Sequence, residues 1–177
     1  AVVAVLMLIK QGRPIFYSAE RMRAPGQPFR QLKFRTMIPE NEDFGATGAH
    51  KHWRITPLGH FLRRTRIDEL PQCWSVLKGE MSFVGTRPEV RKYVDRYTDE
   101  MMTTLLMPAG VTSLASISFK DEDELIDEYT EKGMSVDDAY MEKVLPEKMK
   151  YNLEYMNQFG FFRDIKLMIQ TFVSVIK

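Results

Sequence analysis

The densest run of reactive side chains in the sequence is Arg63-Arg64-Thr65-Arg66-Ile67-Asp68-Glu69-Leu70-Pro71-Gln72, three arginines leading into two adjacent carboxylates. The neighbouring positive charge predicts both carboxyls held ionised. Adjacent positions on a helix point about 100° apart, so Asp68 and Glu69 are not arranged to share one proton. They suit two separate roles, a carboxylate nucleophile beside a metal-ligating carboxylate. The same residues fit a plain helix start, with Asp68 on the N-terminal dipole and Glu69 in the first turn. Pattern alone leans to that second reading.

Two further basic clusters lie beside turns. Lys33-Phe34-Arg35-Thr36-Met37 ends an alternating segment, and Lys78-Gly79-Glu80-Met81-Ser82-Phe83-Val84-Gly85-Thr86-Arg87-Pro88 sets an arginine between a strand and a helix, after a glycine turn. Such turns can offer backbone N–H groups and a fork-shaped guanidinium to a diphosphate. A solvated basic residue at a strand end is the commoner case. His50, His52 and His60 include a His-x-His pair, but no third ligand is spaced to help it, so these read as surface residues. The single cysteine, Cys73, excludes a disulfide framework and a cysteine-cluster metal site. No Walker-type or dinucleotide-type glycine loop is present, which argues against an ATPase or a nicotinamide enzyme.

The elements that must hold these groups are of ordinary globular composition. The 177 residues are 44% hydrophobic and 11% aromatic, enough for one catalytic-size core with helical extensions. Charge is unevenly spread: 17 Lys+Arg against 9 Asp+Glu up to Tyr97, a net of +8, then 8 against 15 beyond it, a net of −7. The basic half predicts an anionic partner, which charge alone does not choose among nucleic acid, lipid headgroups and phosphorylated small molecules.

At the N-terminus, residues 1–9 form an unbroken apolar run followed by Lys10, Arg13, Arg21 and Arg23. A spanning helix needs about 20 apolar residues, and a signal peptide carries its charges before the apolar stretch. The run therefore reads as the tail of a membrane-inserted segment with a basic cytoplasmic flank, or else as a buried core element. At the other end, apolar residues at 161, 162, 165, 168, 169, 172, 173 and 176 follow helical spacing. They predict one broad apolar face, packed on the core or lying in a bilayer interface.

Between the ends, residues 14–17 and 29–34 predict a β-hairpin around a turn over 23–28, followed by a surface loop over about 38–52. Thr56-Pro57 predicts a helix start, and a second short helix runs from Asp68 to Leu77, ended by Lys78-Gly79. A strand over 81–84 comes next, then a helix from Pro88 to about Leu106 and a loop over 108–118. An acidic helix over 121–132 and long helices from Val136 to the end complete an α+β, mostly α, chain.

Taken together, Lys33-Phe-Arg-Thr-Met37, Arg54-Ile-Thr-Pro-Leu-Gly-His-Phe-Leu-Arg63, Asp68-Glu-Leu-Pro-Gln72 and Val76-Leu-Lys-Gly-Glu-Met-Ser-Phe-Val-Gly85 resemble, in order and spacing, the bacterial sugar transferases called monotopic phosphoglycosyl transferases. The resemblance covers essentially the whole chain and overturns the plain helix-start reading of Asp68 and Glu69. It implies an enzyme at the cytoplasmic face of the bacterial inner membrane. Such an enzyme moves a phospho-sugar from a UDP-sugar to a polyprenyl phosphate, usually undecaprenyl phosphate, and so initiates glycan assembly. By the family pattern Asp68 is the nucleophile that forms a phosphosugar-aspartyl intermediate with release of UMP, and Glu69 is the Mg²⁺ ligand. Arg63 and Arg87 match family arginines: the resemblance sets Arg63 with the catalytic residues and Arg87, with Pro88, at the donor, where Lys33 and Arg35 are further phosphate contacts. Residues 1–10 would be the returning half of a re-entrant membrane helix and 11–177 the catalytic domain, with a small β-hairpin and several interfacial amphipathic helices. Membrane lipids are then expected partners, nucleic acid is not, and a homodimer is compatible.

The chain departs from the family at Gly85-Thr86-Arg87-Pro88, where relatives commonly read Gly-Pro-Arg-Pro. It departs again at Pro108-Ala109-Gly110-Val111-Thr112-Ser113, where they commonly read Pro-Gly-Ile-Thr-Gly. The acidic run over 121–128 is read as a solvated helix rather than as a determinant of sugar choice. Rival readings are a catalytically idle membrane scaffold of the same fold and a nucleic-acid-binding module using the basic half.

Overall fold

The computed structural model describes residues 1–39, 52–119 and 122–176. Most of the expected loop over 38–52, including His50, lies outside the described residues, as does Asp121 at the head of the acidic run. The chain is mixed α/β and mostly helical, with a small antiparallel hairpin, and among the described residues no helix is long and apolar enough to cross a membrane.

Helix α1, Val2–Gln11, buries Met7 completely and leaves Val2 and Ile9 exposed. It stops at Gly12, whose φ of 64° suits glycine. The hairpin is longer and its turn tighter than expected: β1, Phe16–Ala24, pairs antiparallel with β2, Gln27–Phe34, around Pro25-Gly26. Two prolines made residues 23–28 look like one long turn. Pro28 fits in β2 opposite Met22 because the Met22 N–H is donated elsewhere, to the Glu89 carbonyl at 2.8 Å.

Helix α2, Pro57–Arg64, starts as expected, with the Thr56 hydroxyl accepting from the Gly59 N–H at 2.9 Å. The segment expected as one helix from Asp68 is instead a 3₁₀ helix, Ile67–Gln72, running into α3, Cys73–Leu77. The expected helix from Pro88 to Leu106 is broken into α4, Arg91–Val94, and α5, Asp99–Thr103. Thr98, with its side chain capping α5, marks the interruption.

The expected loop over 108–118 contains a strand. β4, Gly110–Thr112, pairs in parallel with β3, Ser82–Val84, and α6, Leu114–Ser118, follows. The pairing needs glycine on both sides: a Cβ on Gly85 would lie 2.0 Å from the Pro108 carbonyl oxygen, and one on Gly110 would lie 2.4 Å from the Gly85 nitrogen. Three-residue strands that pair across 28 positions of sequence leave no periodicity to read.

The acidic half supplies most of the core. Helices α7, Glu122–Glu131, α8, Val136–Ala139, and α9, Leu145–Gln158, with the π-helical turn Tyr140–Val144 that joins the last two, bury Ile126, Val144, Leu145 and Met149 against Tyr93 of α4. Tyr93 and Tyr140 stack with ring centroids 4.4 Å apart. Helix α10, Phe161–Ile176, joins a second cluster through Leu167 with Val84 and Tyr155. Most of its remaining apolar face is exposed, with Phe162 at 84%.

Candidate active site

Three short elements bring the reactive residues together. The Arg63 Nε, in the last turn of α2, donates to the Thr36 hydroxyl at 2.8 Å, tying that turn to the chain just beyond β2. Gly59 permits the approach, because a Cβ there would sit 2.1 Å from the Thr36 carbonyl oxygen. Arg66 adopts a left-handed conformation with φ 52°, alone among the described non-glycine residues in having positive φ, and turns the chain into the 3₁₀ helix. Such strain is commonly kept where it aims a functional group.

The 3₁₀ helix is docked on β2 by two polar rungs. Gln31 Nε2 donates to Gln72 Oε1 at 3.2 Å, and Lys33 Nζ donates to Glu69 Oε1 at 2.7 Å. The alternation of β2 puts Gln31 and Lys33 on one face, which matches the spacing of Glu69 and Gln72 along one turn. Arg66 approaches the other Glu69 oxygen at 3.6 Å. Asp68, one position away, is only 7% exposed.

This burial separates the two carboxyls, for which the neighbouring positive charge alone predicts one common tendency. For Asp68, loss of solvent outweighs the attraction of Lys33 and Arg63, and its carboxyl is pushed above its ordinary value. For Glu69, burial also opposes the charge, but Lys33 and then Arg87 overcome it and the carboxyl is drawn down. The pair therefore divides: Glu69 is the fixed anion, and Asp68 is a carboxylate that its surroundings do not fully stabilise. Burial lowers Lys33 despite Glu69 beside it, with Arg87 adding to the shift.

Arg87 joins this cluster through the fields of Glu69, Glu122 and Glu89, which together outweigh its burial and raise its pKa. Its Nη1 donates to the Ser116 hydroxyl at 3.4 Å, and Pro88 beside it is buried. Thr86 fills the place of the family proline with its own bonds, its N–H to the Pro108 carbonyl at 3.2 Å and its hydroxyl to the Thr104 carbonyl at 3.2 Å. A proline could make neither.

Arg35 is not among the site's free cations. Its guanidinium is spent on the carbonyls of Pro14, Gln11 and Gly12, at 2.7, 2.7 and 3.1 Å, where it closes the C-terminal end of α1. The residue expected to touch phosphate is an anchor for the N-terminal helix. The acidic helix is also not simply solvated: Glu122 pairs with Lys148 at 2.6 Å, and Ile126 is fully buried. Sequence reading missed Thr36, Lys148 and Tyr140 at or near the site. Thr36 lies within a quoted motif, whereas Lys148 and Tyr140 sit on ordinary helical surface patterns that carry no signal.

Among the described residues no group of three His, Cys, Asp or Glu could hold a metal ion. The cluster holds two carboxylates, Glu69, whose oxygens lie 2.7 Å from Lys33 and 3.6 Å from Arg66, and its neighbour Asp68. One or two carboxylates, with substrate phosphate and water supplying the rest, is the donor set through which Mg²⁺ commonly binds.

Two adjacent carboxylates of opposite tendency thus lie within the electrostatic reach of Lys33, Arg63 and Arg87. The whole chain, residues 1–177, matches the family model described as bacterial sugar transferase, and the protein belongs to that family. It is 42% identical, over 57% of each chain, to a Bacillus subtilis (strain 168) protein provisionally described as an undecaprenyl-phosphate N-acetylgalactosaminyl 1-phosphate transferase. It is 34% identical to the UDP-galactose-lipid carrier transferase of Erwinia amylovora, over 68% of this chain and 29% of that one. To the galactosyl transferase CpsE of Streptococcus agalactiae serotype III (strain NEM316) it is 31% identical, over 99% of this chain and 38% of that one. The chain thus spans between 29% and 57% of the length of these relatives.

Proposed function

We propose that this protein is a phosphoglycosyl transferase that moves a sugar 1-phosphate from a UDP-sugar to a polyprenyl phosphate, undecaprenyl phosphate by the names of its relatives. The observation that carries the reading is the convergence of Asp68, Glu69, Lys33, Arg63 and Arg87, from distant blocks of sequence, on one partly buried anionic pair with a surrounding cationic surplus.

In this reading Lys33, Arg63 and Arg87 draw in the donor diphosphate and spread its charge. The Asp68 carboxylate, poorly stabilised by solvent, attacks the sugar-bearing phosphorus. The bond from that phosphorus to the bridging oxygen breaks, and its electron pair leaves with UMP. The acceptor phosphate oxygen then attacks the same phosphorus, the Asp68 oxygen–phosphorus bond breaks, and the carboxylate is regenerated. Glu69, with Asp68 beside it, would hold Mg²⁺, which when bound polarises the diphosphate oxygens.

A lipid acceptor requires the site to meet a membrane, and the exposed apolar residues support that. Phe61, Leu70, Trp74 and Leu77 are exposed on α2, the 3₁₀ helix and α3, the elements that carry Arg63 and Asp68. Residues of α1 and α10 add further exposed apolar surface, and Lys10 and Arg13 flank α1. We assign residues 1–10 to the membrane, residues 11–177 to the catalytic domain, and the protein to the cytoplasmic face of the bacterial inner membrane.

The test is intact-protein mass spectrometry of the purified protein in nanodiscs with Mg²⁺, a panel of UDP-sugars and no acceptor. A mass gain of one phosphosugar in the wild type, absent in Asp68→Asn, is expected. No adduct, together with no UMP release once undecaprenyl phosphate is added, would leave a catalytically idle scaffold.

A further inference from the structure

On the inner side of Arg87 lies a cavity of about 40 Å³ whose walls include Arg21, Arg87, Glu89, Glu122, Tyr140 and Lys148. Two guanidinium groups and two carboxylates face one small space, a setting in which arginine and carboxylate ordinarily close into bidentate pairs. Among the described residues neither arginine forms an ion pair with Glu89 or Glu122. Among the described residues Arg87 spends a single side-chain hydrogen bond, the one to Ser116, from a group with five N–H donors. Among the same residues the buried Nε of Arg21 has no partner.

The carboxylates are occupied from the other side. Tyr140 Oη donates to Glu89 Oε1 at 2.6 Å, Lys148 Nζ lies 2.6 Å from Glu122 Oε2, and Lys148 Nζ donates to Tyr140 Oη at 3.2 Å. This chain of Glu122, Lys148, Tyr140 and Glu89 is rigidly seated. Tyr140 is stacked on Tyr93, and Lys148 is buried on α9. A guanidinium paired internally would have to break that pair before taking a phosphate, so its apparent affinity would fall with the fraction of molecules left open.

We propose that Lys148 and Tyr140 are positioning residues that hold the carboxylates of Glu122 and Glu89 off Arg87, so that its guanidinium stays open for the phosphate of the nucleotide-sugar donor. The inference rests on the donor reading given above and adds a role for the acidic half of the chain. Glu122, from that half, and Glu89 lend a field that holds the Arg87 charge without consuming its donors.

The test is calorimetric binding of UDP to the protein in nanodiscs with Mg²⁺. Lys148→Met frees Glu122 to close on Arg87 and is expected to weaken UDP binding roughly tenfold. Adding Glu122→Gln in that background restores affinity to within about twofold, even though the melting temperature stays below that of the wild type. Should Lys148→Met fail to fold, Tyr140→Phe frees Glu89 in the same way, with Glu89→Gln as its rescue. Wild-type affinity in Lys148→Met, or lost affinity that Glu122→Gln does not restore, overturns the inference while leaving the transferase reading intact. Wild-type protein that takes no UDP overturns the donor reading and this inference with it.

Discussion

The ammonium of Lys33 stands 2.7 Å from the carboxylate of Glu69, joining β2 to the 3₁₀ helix that carries Asp68. A strand thereby fixes the depth and rotation of a helix too short to hold itself. Removing one member of a buried pair leaves the other charge uncompensated, at a cost of about 3–5 kcal/mol when burial is complete. Arg66 remains near Glu69, and Lys33 is partly solvated, so Lys33→Met is expected to cost less, about 1–3 kcal/mol, read by chemical denaturation. On the proposed function the same variant is expected to raise the KM for a UDP-sugar, because Lys33 is there assigned to the donor diphosphate.

Asp68 carries a pH signature of opposite sign to that of an ordinary surface carboxylate. Its folded pKa is raised by burial, so the stability it contributes is fully present below the unfolded value and is lost as pH rises through the folded one. At neutral pH the charge is a liability, and Asp68→Asn is expected to raise the melting temperature while abolishing the adduct. A gain of roughly 1 kcal/mol corresponds to about 2–4 °C in a chain of this size. An unchanged or lowered melting temperature at pH 7, with a normal far-UV spectrum, would contradict the burial argument. Adduct formation by the wild type rises as pH passes upward through the Asp68 pKa.

Glu69 runs the other way. Its folded pKa is depressed, chiefly because Lys33 and Arg87 overcome burial, so its contribution is present above the unfolded value and lost as pH falls through the folded one. Wild-type protein is therefore expected to lose stability on the acid side of the ordinary glutamate range. Glu69→Gln should show a smaller acid-side loss in a pH series of denaturation midpoints.

Arg35 is expected to behave as a structural residue. Arg35→Met leaves the carbonyls of Gln11, Gly12 and Pro14 without their donor, at a cost of about 2–4 kcal/mol. Hydrogen exchange should report faster opening of α1, while the Kd for UDP changes by no more than about twofold in the fraction that remains folded. A large loss of UDP affinity without loosening of α1 would return Arg35 to the phosphate site.

Gly85 tests the parallel β3–β4 pair that sets the start of the Arg87 segment. Gly85→Ala drives a methyl group into the Pro108 carbonyl, and overpacking against backbone is expected to cost about 3 kcal/mol or more. Wild-type stability in that variant, by thermal or chemical denaturation, would mean that the two strands do not approach as described.

Much of this site was legible because the relevant information is local. The Thr56-Pro57 start of α2, the Gly79 stop and the apolar stripe of α10 are written within a few residues, and the structure has each of them. The four motif blocks named the family and pointed to Asp68, Glu69, Lys33 and Arg63, and Arg87, just beyond the last block, matched a family arginine. What sequence alone determined was which residue types were available for phosphate chemistry. The tertiary structure decided how each is used, since burial and partners come from elements remote in the chain. Asp68 and Glu69 are neighbours in sequence, yet burial raises one carboxyl while Lys33, 36 positions away, helps to lower the other. Arg35 reads like Arg63 and Arg87 in a basic motif, but its donors were claimed by α1. Lys148 and Tyr140 share a cavity wall with Arg87 only because the fold brings them there, 53 or more positions on in the chain, with Tyr140 bonded to Glu89 two residues from Arg87. Side-chain type is a local property, whereas solvation and pairing are set by whatever the fold brings into contact.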